Sequence, residues 1–82
     1  MTHRLFVLDV PENTSVARVA AQSAEVHVDK VGPYYVIESE APIVIDRRET
    51  GCRHAVWYSC VAGLAGCRIV KWDKDALRAE AR

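Results

Sequence analysis

The chain has 82 residues, half of them hydrophobic and 27% charged, which fits one compact domain over residues 1–82 with enough apolar surface to exclude disorder. Eleven basic residues balance eleven acidic ones, so no overall charge marks a general binder of nucleic acid or of membrane surfaces. The longest nearly apolar stretch, Ala55 to Cys67, has 13 residues with Ser59 and two glycines inside it, short of the ~20 that a membrane helix needs. The apolar run after Arg4 ends at Asp9, too soon for a secretory leader, and a cytoplasmic site of action is expected.

Arg4 to Val10 is β-branched and aromatic and reads as the first strand, stopped by Pro11, which has no N–H to donate to a ladder. Asn13, Thr14 or Ser15 caps a helix whose apolar side is Val16, Val19, Ala20 and Ser23, the i, i+3, i+4, i+7 spacing of an amphipathic helix. Glu25 to Val31 alternates Val26 and Val28 with His27 and Asp29, a strand with one buried face. Gly32-Pro33 turns the chain into Tyr34 to Glu40, and Ile43 to Asp46 is extended again after Pro42.

Val56, Trp57, Cys60, Val61 and Leu64 make a helical stripe over Arg53 to Leu64, with Ala55, Ser59 and Gly63 as a row of small residues on the same helix. Cys67 to Trp72 reads as a strand. Asp73 either caps a terminal helix or opens a turn into a strand alternating Leu77, Ala79 and Ala81, the helix being the preferred reading.

This order predicts an α+β fold of ferredoxin-like type, βαββαβ, with two helices on one face of an antiparallel sheet. Both side-chain rows of the first strand are apolar, Leu5 and Val7 on one side and Phe6, Leu8 and Val10 on the other. The face away from the helices therefore needs a cover: a second copy, a C-terminal element or a protein partner.

Arg47, Arg48, Arg53 and His54 surround the predicted start of the second helix, a candidate anion site, and Cys52 beside them is a candidate nucleophile with His54 as its base. Two residues so close in sequence do not face each other on a helix, which weighs against the dyad. Cys52, His54, Cys60 and Cys67 contain no close ligand pair, so neither a metal nor any other cofactor is expected. Cys60 falls on the apolar stripe, and His3 and His27 read as surface residues.

Leu5-Phe6-Val7-Leu8-Asp9-Val10-Pro11 resembles the first-strand motif of RNA-recognition domains, with Phe6 at its aromatic position. Gly32-Pro33-Tyr34-Tyr35-Val36 is similar to their third-strand motif, with Tyr35 where a base-stacking aromatic lies. The resemblance implies RNA stacked on Phe6 and Tyr35. It departs at Val31, which replaces a basic residue, and at Pro33 and Glu38, which replace aromatics; residues 1–41 also carry six acidic side chains against three basic ones, repelling phosphates.

No catalytic constellation is complete, and the leading expectation is a non-enzymatic module that binds a larger protein partner or a second copy of itself. It would act as an accessory subunit or as an inhibitor carried by a phage or mobile element, of the anti-CRISPR type, a class with this size and lack of motifs. The candidate partner-binding residues are Asp29, Glu38 and Glu40, which offer negative charge, Tyr34 and Tyr35, the residue type that anchors interfaces, and Ser59 in the small-residue row. Nucleic acid is the alternative partner and Cys52 thiol chemistry the alternative activity.

Overall fold

Seven strands and three short helices lie among residues 2–81, the part of the chain that the computed structural model describes. They are β1 (His3–Leu8), α1 (Thr14–Ala20), β2 (Val26–Val31), β3 (Tyr34–Ser39), β4 (Ile43–Asp46), α2 (Arg47–Thr50), α3 (His54–Trp57), β5 (Val61–Ala65), β6 (Cys67–Trp72) and β7 (Ala76–Ala81). One antiparallel sheet has the order β2-β3-β1-β5 and a second, smaller one the order β4-β7-β6. The protein is thus α+β, as its sequence predicts. In the larger sheet β1 and β2 run the same way with β3 between them, which is the split βαβ strand order.

Period-two burial sets both sheets. Leu5 and Val7 are buried, pairing with Ile37 and Tyr35 of β3, while Val28 of β2 and Leu64 of β5 extend the row. Facing them are Ile43 and Ile45 of β4 with Leu77 and Ala79 of β7, all without exposed surface. Val16, Val19 and Ala20 of α1 join this core, as their helical spacing predicts, although the helix ends at Ala20 and leaves Ser23 in a turn.

The twelve-residue helix predicted over Arg53 to Leu64 is not formed. Its first turn survives as α3, and Val61–Ala65 becomes the edge strand β5 on β1, with Leu64 opposite Leu5 and Gly63 opposite Phe6. Two causes act together. Glycine inside a helix costs about 1 kcal/mol relative to alanine, and β1 without β5 would leave a row of backbone donors and acceptors unpaired at a face the core must close. Ser59 therefore lies in the link after α3, its hydroxyl donating to the Ala55 carbonyl at 2.9 Å. The small-residue row on a helix does not exist.

The C-terminal ambiguity resolves to the strand, against the preferred helix. Asp73 Oδ1 accepts from the backbone N–H groups of Asp75 and Ala76 at 2.9 and 3.0 Å, a local turn that folds β7 back on β6 and buries Leu77 and Ala79. The cover of the inner face is accordingly α1 and a second sheet in place of two long helices. No helix among the described residues is long and apolar enough to cross a membrane.

Candidate interaction surface

The outer face of the larger sheet carries the alternate side chains of β1, β2 and β3, in rows that the strand register fixes. Leu8, Tyr34 and Val31 form one row, Phe6, Val36 and Asp29 the next, and Arg4, Glu38 and His27 the third. The first row is apolar and open: Leu8 is 40% exposed, Tyr34 37% and Val31 59%. Phe6 meets the Tyr34 ring edge-on at 6.5 Å between centroids and packs over Gly63, and Val36, its cross-strand partner, is buried.

At the other end the surface turns acidic. Arg4 pairs with Glu38 at 3.2 Å, Thr2 donates to Glu40 at 2.6 Å, and Glu25, His27, Glu38 and Glu40 line an open groove of about 160 Å³. Glu25, Asp29, Glu38 and Glu40 lie on this face and its rim, Glu38 paired with Arg4. The apolar and acidic ends lie on the same side of the sheet.

Most of the residues that the sequence nominates for partner binding therefore lie together: Asp29, Tyr34, Glu38 and Glu40 share this face. Tyr35 does not, because the strand alternation turns it to the inner side. Its hydroxyl bonds to the Asp9 carboxylate, which also takes Lys30 Nζ at 2.5 Å, and these two contacts hold Asp9 below its ordinary range while the carboxylate raises Lys30. Ser59 lies outside the face as well. Phe6 and Tyr35, the stacking pair that the RNA-recognition resemblance implies, point to opposite sides of the sheet. Phe6, Leu8 and Val31, which complete the surface, were visible in the sequence as the second apolar row of β1 and the apolar end of β2.

The basic cluster is dispersed by local bonding. Arg47 donates through Nε to the Lys74 carbonyl and through Nη1 to that of Cys52 at 3.1 Å, fastening α2 to the β6–β7 turn. Arg48 reaches Asp75 at 3.4 Å, and Asp46 caps α2 by accepting from the Arg48 N–H at 2.9 Å. Arg53 and His54 remain exposed at the start of α3, a helix of one turn. Cys52 is buried, its thiol directed at the Glu12 carbonyl at 3.7 Å, whereas His54 is in solvent, so the two do not form a dyad. Cys60 and Cys67 are buried thiols, and burial, with Cys52 nearby, pushes Cys60 up to about 11. His3 is also buried, against the surface reading: its Nδ1 bonds to the Ser39 carbonyl at 2.9 Å and its Nε2 has no hydrogen-bond partner among the described residues. Among the described residues no group of three or more His, Cys, Asp or Glu is arranged to hold a metal ion.

The fold as a whole is similar to a chain in the structure of the complex of phenol hydroxylase with its regulatory protein, at a TM-score of 0.80 and 15% sequence identity, over 100% of this chain and 100% of that one. No protein-family model matches the chain, and no curated protein matches it.

Proposed function

We propose that this protein is a non-catalytic accessory component that binds a larger protein through the outer face of the β2-β3-β1-β5 sheet, in the manner of a hydroxylase regulatory protein. The observation that carries the reading is the bare sheet face, where Leu8, Val31 and Tyr34 stay exposed although the chain has an inner core to bury such residues in. The fold likeness to a protein of the phenol hydroxylase complex, over the full length of both chains, supports the accessory form of the expectation. It lends nothing to the inhibitor form, the anti-CRISPR type included. Two copies joined through this face would set carboxylates against carboxylates, which disfavours a homodimer there. Burial of Cys52 and Cys60 weighs against the thiol-enzyme alternative.

The test is co-purification of the tagged protein from its source cells, with nuclease, beside a Leu8→Gln/Val31→Thr variant. A larger protein retained in stoichiometric amount by the wild type and lost by the variant is the expected result. Equal retention by the variant would move the interface elsewhere, and loss on nuclease treatment would make the partner a nucleic acid.

A further inference from the structure

We propose that the open edge of β2 is a docking site for β2 of a second copy, the two strands pairing antiparallel about Val28 so that the four-stranded sheet doubles. β2 is the outermost strand on its side of the larger sheet and, among the described residues, pairs with β3 alone. In an antiparallel ladder each residue sends its N–H and C=O to the same neighbour, and successive residues alternate between neighbours. Two bonds identify the residues of β2 that point away from β3. The Val26 N–H donates to the Ser23 carbonyl at 3.1 Å, and the Lys30 N–H donates to Asp29 Oδ1 at 2.8 Å. Val28, midway between them, therefore directs its N–H and C=O outward as well. The Lys30 side chain, of a type that commonly guards such edges, is drawn to Asp9.

The order of charges along β2 selects the occupant and the register. A two-fold antiparallel pairing sets one residue opposite its own copy. Centred on Val28, it exchanges two backbone bonds between the valines and places His27 of each copy opposite Asp29 of the other. These are non-hydrogen-bonded positions, where facing side chains lie closest. Centring on His27, Asp29 or Lys30 would set identical polar or charged side chains against each other. Beyond the centre, the Lys30 N–H passes from Asp29 to the Val26 carbonyl of the second copy, which releases the carboxylate for His27. The outer faces of both copies stay on one side of the doubled sheet and uncovered, so the pairing does not rest on the accessory reading and leaves that surface to the larger protein.

Sedimentation equilibrium of the full chain, read beside amide hydrogen exchange, tests the pairing. The expected result is a concentration-dependent dimer in which exchange at Val28 slows as the dimer forms. His27→Asp, which sets carboxylate against carboxylate, should raise the dimer Kd about tenfold or more, and His27→Asp/Asp29→His, which restores both pairs in reverse, should return it to within about threefold of the wild type. Val28→Pro removes the outward N–H at an edge position that gives β3 no bond, and should yield a folded monomer. Leu8→Gln, on the outer face, should leave the dimer Kd unchanged. A wild type that stays monomeric at millimolar concentration, or a dimer indifferent to His27→Asp, would overturn the proposal. So would a dimer lost with Leu8→Gln, which would place self-association on the outer face.

Discussion

Trp57 has no exposed surface, and its indole N–H donates to the Asp73 carbonyl at 2.6 Å, tying α3 to the turn before β7. Trp57→Phe keeps most of the apolar volume but leaves that carbonyl without its donor, an expected cost of about 1–3 kcal/mol in urea unfolding, while Trp57→Ala should cost about 3–5 kcal/mol. The link between Asp9, Lys30 and Tyr35 gives a dependence on pH. Asp9 is held below its ordinary 3.8 by the Lys30 and Tyr35 contacts, so its contribution is complete above that value and is lost as pH falls through the lowered one. Lys30 is raised above 10.5 by Asp9, so its contribution is complete below that value and is lost as pH rises through the raised one. The stability difference between the wild type and Asp9→Asn should therefore be flat from about pH 5 to 10 and narrow beyond both ends, and it should shrink with added salt. The thiols give a third check. With Cys52, Cys60 and Cys67 buried, a disulfide reagent at neutral pH should react at a rate limited by opening of the protein and titrate all three only in denaturant.

At the scale of elements, the glycines separate conformation from space. Gly51 and Gly66 both have left-handed backbone, at φ +71° and +70°, but a Cβ at Gly51 would meet nothing whereas one at Gly66 would overlap the Thr2 carbonyl oxygen. Gly51→Ala should cost about 1–2 kcal/mol from backbone strain alone, and Gly66→Ala clearly more in the same denaturant titration, because backbone must move to admit it. The strands β1 to β4 and the helix α1 follow local patterns, alternation in Val26 to Val31 and the i, i+3, i+4 row of Val16, Val19 and Ala20, and local patterns are visible in a sequence. Val61 to Ala65 satisfies a helical stripe equally well, and what makes it a strand is the unpaired edge of β1, more than fifty residues away. Gly63 and Gly66 were the signal available. The candidate surface was legible for the same reason as the first strands: both rows of β1 are apolar, so one had to face outward. Tyr35 was misplaced because Tyr34 and Tyr35 are both aromatic, and only the register on β1 says which of them faces out.

For the whole molecule, the consequence of an open face lies in the balance between stability and association. Two sheets share one core in a body of 31 × 27 × 22 Å, and a domain of this size buries a small enough fraction of its chain to be marginal. Leu8 and Val31 contribute little to that core, being 40% and 59% exposed, so Leu8→Gln/Val31→Thr should leave the unfolding free energy of the isolated protein within about 1 kcal/mol of the wild type. Their role is realised on docking. A partner that binds only the folded protein stabilises it by RT ln(1 + [L]/Kd), about 2.7 kcal/mol at a hundredfold excess over Kd, which for a domain of this size raises the midpoint of thermal unfolding by roughly 10–20 °C. The co-purified partner should produce that rise in the wild type and little or none in the variant, the two proteins melting together when alone. A variant that melts well below the wild type without partner would show that Leu8 and Val31 serve the fold, and an equal rise in both would place the interface off this face.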